Sequence, residues 1–558
     1  MTHGRSLRNP LVSRGFEFWH GVTIAILVLI CLFLLYPYAG LVFRSFTAEK
    51  TGHLSLENYH QIFTFAYYFT PLFHSLAVSF FTTLLAVILG VPMAYIFSRY
   101  NIGGKKLLKI LIIISLLSPP FIGAYSWIML LGRNGFITKL LSRLGIVVPT
   151  IYGLPGLLLV FTLKLFPYVF LYVSGALGAI DSSLEEAAEN LGVSGIARSF
   201  TITFPLIFPT ISAGAVMVFM TSLADLGTPM LIGEGYKVLP VLVYEEYMSE
   251  VGGNPAMASA LSVIIVLCSL SVLFLQKFVI SRRNYSMNST RPPVVKKLSL
   301  PMRIILTVAS FIVAILAVAP QITTITSSFA RTRGPLFIKG FGLDSYRSVW
   351  FKLSASISRT FIYGLCAIII MIILGMLVSY LSVRRKSRIT VLIDSLFMSP
   401  YVIPGAVIGI ILVMAFNRRP LILTGTAAIL IVSYVLRKMP SILRSSTAIL
   451  YQLDPSVEEA SINLGVSPLK TFFRITAIMM APGVISGAIL SWVATINELS
   501  STLILYSGRT GTISVAIYTE IIKDSYGTAA ALASILTFAT ILSLFIFDRI
   551  TKGKGSVV

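Results

Sequence analysis

A polar stretch that occurs twice constrains the fold of this chain more than any other feature of its sequence. Residues 181–194 read DSSLEEAAENLGVS, and residues 454–467 read DPSVEEASINLGVS. The separation from Glu186 to Glu459 equals that from Gly192 to Gly465, and we call it the repeat interval. A repeat at a fixed register indicates a duplicated architecture. We therefore expect two equivalent halves.

Each copy predicts two short helices joined by a glycine, and we call segments 181–205 and 454–478 the elbows. Asp181 and Asp454 are suitable N-caps, and glycine at 192 and 465 suits the left-handed position that ends a helix. The apolar or small positions follow the i, i+3, i+4, i+7 pattern of one helix face: Leu184, Ala187, Ala188 and Leu191 in the first copy, and Val457, Ala460, Ser461 and Leu464 in the second. The glutamates point elsewhere, so each predicted helix has a small-apolar face and an acidic face.

The composition indicates a polytopic membrane protein. Of 558 residues, 56% are hydrophobic and 12% are charged, and the mean hydropathy is +0.88. The formal charge of +23 could suggest a nucleic-acid partner. However, the basic residues are dispersed in short loops between apolar segments, which membrane topology explains better, so we expect no nucleic acid.

Apolar segments long enough to cross a bilayer predict an all-α fold with about 12 transmembrane helices. We expect spans at about 21–43, 73–98, 109–132, 153–178, 206–232, 256–280, 302–325, 358–382, 390–415, 421–439, 477–503 and 526–548. Six spans in each half make the halves parallel repeats, which suits a central path between them. The predicted domains are 1–280 and 302–558, joined by a polar, Pro-containing linker at 281–301.

Lysine and arginine are more frequent in the loops that would lie on the same side as both elbows. The positive-inside rule therefore predicts cytoplasmic N- and C-termini and cytoplasmic elbows in a multi-pass inner membrane protein. The basic linker could also touch anionic lipid headgroups, but we favour its interpretation as a passive solvated tether.

The elbow sequence resembles the EAA loop of type I ABC importer permeases. The first copy carries Glu186-Ala187-Ala188, then Gly192, and later Ile202-x-Phe-Pro, with Phe where Leu is usual. The second copy departs from the pattern with Ser461 in place of the second Ala and Ile478 in place of Pro. The alternative is a pair of solvated amphipathic helices that bind no partner.

This resemblance implies that each elbow is a coupling helix that docks on an ATP-hydrolysing subunit. The coupling residues would be Glu186, Ala187, Ala188, Gly192, Glu459, Ala460, Ser461 and Gly465. The chain lacks the Gly-x-x-x-x-Gly-Lys-Ser/Thr phosphate loop, so we expect no enzyme activity of its own. The implied partners are two copies of a cytoplasmic ATPase, which would bind ATP and Mg, and a periplasmic or lipid-anchored substrate-binding protein. We expect no cofactor bound by this chain.

Within that class, the fused design and the runs ADLGTP (224–229) and NELSST (497–502) most resemble ferric-iron permeases. Thiamine and aminophosphonate permeases share the fused design, so both remain alternatives.

Two acids lie deep in predicted spans, Asp225 and Glu498, and they too are separated by the repeat interval. Burying a carboxylate in a membrane costs about 2.5–3.5 kcal/mol or more, so such groups normally face a bundle interior or a wet cavity. They could line or gate a translocation path, or they could be locally bonded acids that fix helix packing. We interpret Lys164, the basic residue within a span, as structural or snorkelling.

Prolines recur at similar depth and could be hinges of the path or simple kinks. They are Pro119, Pro120, Pro400 and Pro404. Neither the histidines nor Cys31, Cys268 and Cys366 have the spacing of a metal site. Acids give the 233–255 loop an acidic surface on the outer side. The resemblance implies that a substrate-binding protein would dock on this face, although a solvated loop would look the same.

A different class would also fit parallel six-helix repeats with buried acids. An ion-coupled secondary transporter would use Asp225 and Glu498 as proton or sodium sites and would not need paired elbows. A receptor-like membrane scaffold is a third possibility.

Overall fold

A computed structural model describes residues 10–48, 52–116, 119, 121–147, 149–193, 195–249, 253–281, 295–334 and 336–550. Most of the predicted linker and Pro120 lie outside these residues. The described chain is almost entirely helical, which confirms the all-α fold class. A hairpin of strands β1 (Ala330–Arg333) and β2 (Leu336–Phe341) is the one sheet that these residues contain.

The helices of the first half follow one another in this order: α1 (Pro10–Ile30), α2 (Tyr36–Ser45), α3 (Glu57–Thr64), α4 (Ala66–Arg99), α5 (Lys105–Leu116), α6 (Ile122–Leu131), α7 (Phe136–Ser142), α8 (Leu154–Gly178), α9 (Ser182–Asn190), α10 (Gly195–Arg198), α11 (Phe204–Ala224), α12 (Gly227–Ile232), α13 (Leu239–Met248) and α14 (Pro255–Ser281). π-Helical turns at Cys31–Leu35 and Ser199–Thr203 join α1 to α2 and α10 to α11.

The second half continues with α15 (Leu300–Phe329), α16 (Asp344–Arg384), α17 (Arg388–Met398), α18 (Gly405–Phe416), α19 (Ala427–Gln452), α20 (Ser456–Asn463), α21 (Pro468–Thr471), α22 (Ala477–Ile496), α23 (Thr502–Leu505), α24 (Ile513–Ile522) and α25 (Tyr526–Ile550). A 3₁₀ turn at Ser399–Tyr401 follows α17, and a π-helical turn at Phe472–Thr476 joins α21 to α22.

The described residues contain nine helices that are long and apolar enough to span a membrane, or ten if α17 and α18 form one span bent by 112°. Two of the twelve predicted spans, 109–132 and 421–439, are not among these candidate helices. The 109–132 segment consists of two shorter helices, α5 and α6, and α19 is long enough but carries Arg437, Lys438 and Arg444. A hydropathy profile is averaged over many residues, so it does not show a few charged residues within a helix or a short break between two helices.

The residues fall into two compact units. One contains residues 44–353 and 513–539, and the other contains residues 1–43, 354–512 and 540–557. In the first unit α15 packs against α5 and α6, and in the second α1 packs against α17 and α21. Each unit therefore combines the core of one sequence half with the first long helix of the other half. The boundaries 1–280 and 302–558 describe the sequence repeat and stay a prediction.

Small residues allow the core helices of each unit to approach closely. A Cβ added at Gly90 or Gly214 would lie 2.8 Å from Val169 Cβ or 3.2 Å from Val169 Cα. In the other unit, a Cβ added at Gly375 would lie 2.6 Å from Ile442 Cγ2, and one added at Gly487 would lie 2.7 Å from Ile442 Cα. Small residues at such contacts are typical of membrane helix packing. The same three-helix arrangement is therefore built twice, around α4, α8 and α11 and around α16, α19 and α22.

Candidate functional sites: the elbows and two buried charge pairs

The first elbow is a capped helix that ends in a sharp turn. The Asp181 carboxylate accepts a hydrogen bond from the Ser183 N–H at 2.9 Å. At the other end Gly192 has φ +83°, its N–H donates to Glu189 O, and Val193 N–H donates to Ala188 O. This pair of bonds is the Schellman motif, which requires the left-handed conformation at the glycine.

The second elbow repeats this geometry. The Asp454 carboxylate accepts from Ser456 N–H at 2.9 Å, and this bond holds the pKa of the carboxyl below its usual value. Gly465 has φ +86° and donates to Ile462 O, while Val466 N–H donates to Ser461 O. The predicted caps and glycine turns are thus present in both elbows.

The residues that the resemblance predicts for coupling divide into an exposed set and a buried pair. The exposed set is Glu186, Ala187, Gly192, Glu459, Ala460 and Gly465. Ala188 and its counterpart Ser461 are buried, with 3% and 5% exposure. The Ser461 hydroxyl lies 2.9 Å from the Thr471 hydroxyl, so the polar replacement of Ala has a hydrogen-bond partner inside the elbow.

The apolar face of each elbow helix points largely outward. Leu191 and Leu464, at equivalent positions, are 83% and 85% exposed, and Leu184 is 46% exposed. The sequence placed these leucines on the apolar face but did not identify them as a surface. Exposed leucines at both copies of one position offer an apolar contact to another molecule.

Sequence reasoning missed two ion pairs of the elbows, one within the first elbow and one between the second elbow and a long helix. In the first elbow, Arg198 donates to Glu189 at 3.0 Å. In the second, Arg384 at the end of α16 lies 3.0 Å from Glu458 and also donates to Leu453 O at 2.7 Å. The second elbow is therefore bonded directly to a long span.

Both elbows continue into the next span through a π-helical turn, Ser199–Thr203 and Phe472–Thr476. These turns are again separated by the repeat interval. Single π-helical turns inside α-helices occur frequently at functional sites. The sequence motif marked this region through Ile202 and Ile475 but carried no signal for the π geometry.

Asp225 lies where α11 ends and is paired on both carboxylate oxygens. Oδ2 lies 2.9 Å from Lys164 Nζ on α8, and Oδ1 accepts from Thr228 N–H at 2.8 Å. The side chains of Lys164 and Asp225 are 21% and 11% exposed. The bond to Thr228 caps the short helix α12, so this acid fixes both a helix crossing and a helix start.

Glu498 follows α22 and has the same arrangement with one more cation. It is paired with Arg437, Lys438 Nζ lies 2.6 Å from Oε2, and Ser501 N–H donates to Oε1 at 3.2 Å. Arg437 follows Lys164 by the repeat interval, and Ser501 follows Thr228 by the same interval. The ion pair is thus duplicated with the fold, and applying the repeat interval to every charged span residue would have found it.

The prolines occupy breaks in the helices. Pro400 lies in the 3₁₀ turn after α17, and Pro404 immediately precedes α18, at the 112° bend. Pro119 is not helical and lines a small cavity with Lys164 and Gln321, with room for about one water molecule. Pro120 lies outside the described residues.

Two acids in the described part of the 233–255 segment form ion pairs. Glu234 lies 2.6 Å from Arg133, and Glu245 lies 2.8 Å from Lys237. The bond to Glu245 raises the pKa of Lys237. Among the residues that the structure describes, no three His, Cys, Asp or Glu side chains group together as a metal site.

Comparison with known proteins accounts for the duplication. The model of the family described as binding-protein-dependent transport system inner membrane component matches twice, at residues 86–285 and 371–554. The ferric transport system permease protein FbpB of Actinobacillus pleuropneumoniae is 28% identical over 97% of this chain and 79% of that protein. A putative ferric transport system permease protein FbpB 1 of Haemophilus influenzae is 27% identical, over 90% of this chain and 80% of its own.

A probable molybdenum ABC transporter permease of Haloferax volcanii is 27% identical over 46% of this chain but 88% of its own length. A single-unit permease of this kind therefore corresponds to about half of the present chain, as expected for a fused duplication. The chain is a multi-pass inner membrane permease, and it belongs to the binding-protein-dependent transport system inner membrane component family of ABC importers.

Proposed function

We propose that this chain passes ferric iron, delivered by a periplasmic or lipid-anchored binding protein, across the inner membrane by alternating access. Ferric iron is the substrate that the names of two relatives carry, and those relatives align with 97% and 90% of the chain. The observation that carries the mechanism is the duplicated elbow with its outward-facing leucine.

Each elbow docks on one copy of a separate cytoplasmic ATPase that binds ATP and Mg. Leu191 and Leu464 enter an apolar groove of that subunit, and Glu186 and Glu459 lie on the same exposed helices. Large exposed apolar side chains surrounded by polar residues are suitable anchors for such contacts. This arrangement requires the elbows, and with them the N- and C-termini, to be cytoplasmic.

Movement of an elbow reaches the spans through two kinds of connection. The π-helical turns join each elbow to the next long helix without a break, and the Arg384–Glu458 pair bonds the second elbow to α16. Closure of the ATPase dimer would therefore move α11, α16 and α22. Asp225 and Glu498 lie in the breaks that follow α11 and α22, and Pro119, Pro400 and Pro404 lie outside the long helices. These breaks supply the hinges beside the path.

The proposal is tested by reconstituting the chain in proteoliposomes with the ATPase and the binding protein of the same transport system. We expect ATP-dependent uptake of ferric iron and co-purification of the ATPase. The double variant Leu191→Glu/Leu464→Glu should lose both the iron uptake and the co-purification of the ATPase, because each substitution would place a charge in an apolar groove. Leu144→Glu, at a leucine that is 69% exposed outside the elbows, is the matched control.

Two results would contradict parts of the proposal. Uptake driven by a proton or sodium gradient without ATP would favour a secondary transporter that uses Asp225 and Glu498. ATP-dependent uptake of thiamine or an aminophosphonate, but not of iron, would keep the importer mechanism and replace the substrate.

A further inference from the structure

A hairpin between two long helices exposes many large apolar side chains. We call residues 330–353 the hairpin segment; they comprise β1, β2 and the first turns of α16. Every residue of β2 is exposed. The large apolar side chains of the segment that are 40–83% exposed are Leu336, Phe337, Ile338, Phe341, Leu343, Trp350 and Phe351. Exposed apolar surface of this extent indicates contact with a membrane or with another molecule.

The described residues provide no second layer over β2. The two strands pair antiparallel, from Ala330 opposite Phe341 to Arg333 opposite Leu336. Successive side chains of a strand point to opposite faces, so Leu336 and Phe337 lie on opposite faces of β2, and both are exposed. An isolated two-stranded hairpin is at best marginally stable in water. A partner protein that covered one face would leave the other face in water, whereas a membrane interface surrounds both faces.

The first turns of α16 have a buried side and an exposed apolar side. Ser345 and Val349, which lie one turn apart, are both buried. Trp350 and Phe351 are both exposed. Tryptophan is enriched at membrane–water interfaces because its ring is amphipathic. The exposed side of these turns is therefore suited to an interface rather than to bulk water.

The hairpin segment carries an excess of positive charge. It contains five basic residues and one acidic residue. Arg331 lies 3.4 Å from Asp344, which is that acidic residue. Lys339, Arg347 and Lys352 are exposed and form no ion pair with any residue that the structure describes. Positive charge beside exposed apolar side chains favours an anionic membrane surface.

The first repeat exposes an aromatic ring at the equivalent position but lacks the positive charge. The run LENY at 56–59 matches LDSY at 343–346, so Phe63 of α3 corresponds to Trp350. Phe63 is also exposed. The equivalent segment, 46–65, contains one lysine and two acidic residues. An exposed aromatic ring is thus common to both repeats, whereas the basic charge is specific to the second.

The hairpin segment joins two candidate spans, Leu300–Phe329 and Asp344–Arg384. α15 has 30 residues, so its length of about 45 Å matches a bilayer together with its headgroup regions. α16 has 41 residues, about twice the number that the hydrocarbon core requires, so its first turns extend beyond the core. Both helices therefore place the hairpin segment at the level of the lipid headgroups.

We propose that the hairpin segment is a membrane-surface anchor that binds anionic phospholipids. Its exposed apolar side chains enter the boundary between headgroups and acyl chains, and Lys339, Arg347 and Lys352 bind the lipid phosphates. α3 in the first repeat inserts Phe63 in the same way but without a preference for anionic lipid. The proposal requires neither the substrate nor the ATPase, so its test is independent of the proposed function.

The test uses the purified full chain in lipid nanodiscs, with Trp350 as the fluorescent probe. The chain contains four tryptophans, so the emission of Trp350 is obtained as the difference between wild type and Trp350→Phe. Bromine atoms on the acyl chains near the headgroup quench a tryptophan that they contact. Brominated phosphatidylglycerol is compared with brominated phosphatidylcholine, each at the same low mole fraction in a phosphatidylcholine bilayer. We expect both lipids to quench Trp350, and phosphatidylglycerol to do so more strongly.

The charge requirement is tested with one lysine variant and a matched control. Lys339→Gln should reduce the preference for brominated phosphatidylglycerol about five-fold, the factor for one basic residue near an anionic surface. Lys139→Gln removes an exposed lysine of α7, outside the hairpin segment, and should keep the wild-type preference.

Three results would overturn the proposal. Quenching of Trp350 by acrylamide in the aqueous phase, but by neither brominated lipid, would place the segment in water. Equal quenching by both lipids, in wild type and in Lys339→Gln alike, would exclude a preference for anionic lipid. Acrylamide quenching that the purified binding protein abolishes, without any quenching by lipid, would make the segment a protein-docking surface instead.

Discussion

Lys164 Nζ and Asp225 Oδ2 lie 2.9 Å apart within one unit, and Arg437 and Glu498 form the equivalent pair, one repeat interval later, within the other. Each pair joins a long helix to the break that follows another long helix. Each acid also accepts a backbone N–H three residues ahead. The duplicated pair therefore fixes two points of the backbone in each unit, and both the packing role and the path role of these acids stay predictions.

Replacing Asp225 by Asn should destabilise the protein because Lys164 would lose its countercharge within a span. We expect a loss of about 1.5–3 kcal/mol, the range for hydrogen bonds to charged groups. Thermal unfolding in detergent would measure this loss as a lower Tm. The double variant Lys164→Met/Asp225→Asn removes both charges and should recover part of the loss. A double variant less stable than Asp225→Asn would contradict a simple charge pair.

Glu498→Gln should be more harmful than Asp225→Asn, because it leaves two cations, Arg437 and Lys438, around a side chain that is only 5% exposed. Breaking a buried pair by removing one partner costs about 3–5 kcal/mol. The comparison is made by unfolding both variants under the same conditions. Adding Lys438→Met to Glu498→Gln should restore stability in part, and an unchanged or lower Tm would argue against the ion cluster.

Glu458 and Glu459 are neighbours with different surroundings, so they provide a matched pair of variants. Glu458→Gln removes the charge that Arg384 contacts, whereas Glu459 is exposed. We expect faster amide hydrogen exchange in α20 for Glu458→Gln, by about five-fold, since a hydrogen bond of this kind contributes about 1 kcal/mol. Glu459→Gln should leave exchange in the isolated chain unchanged. Equal exchange in both variants would mean that the Arg384 contact does not hold the elbow.

Gly192→Ala and Gly465→Ala test the left-handed turn that ends each elbow helix. A Cβ at either position meets nothing within 4 Å, so the expected cost of about 1–2 kcal/mol comes from backbone conformation alone. The measurement is local amide exchange in α9 and α20, together with ATPase coupling in the assembled transporter. Asn tolerates this conformation better, so the Asn variants should be milder. Ala variants indistinguishable from wild type would contradict the geometry.

The Asp454 cap predicts a pH dependence of the second elbow. Its pKa is lowered by the bond from Ser456 N–H, so the stabilisation is present above the ordinary carboxyl pKa and is lost as pH falls through the lowered value. Amide exchange in α20, corrected for the intrinsic effect of pH, should therefore rise on acidification. Asp454→Asn keeps an acceptor oxygen but does not titrate, and its corrected exchange should stay flat across that range.

Much of the membrane organisation could be predicted because hydropathy is a property of contiguous residues. Nine of the twelve predicted segments correspond to single candidate spans. Within 109–132 the described chain forms two short helices, and α19 carries Arg437 and Lys438, which find a partner in Glu498, so neither segment is among the candidate spans. A profile of single residues does not show that a distant acid compensates a charge.

The elbows were predictable to a similar degree, and for the same reason. Caps at Asp181 and Asp454 and turns at Gly192 and Gly465 depend on residues within a few positions of one another. The outward direction of Leu191 and Leu464 was not predictable, because an amphipathic pattern shows that a face exists but not what covers it. Likewise, the Arg384–Glu458 bond joins residues 74 positions apart.

By itself, the sequence determined that this protein is a duplicated helical membrane protein with two capped elbows, since repeats, hydropathy and capping are local properties of the chain. The tertiary structure decided which basic residues pair with Asp225 and with Glu498, that Arg384 bonds the second elbow, and that Leu191 and Leu464 point outward. Those outcomes depend on how helices far apart in the chain cross and which side chains meet there, and no local pattern contains that information.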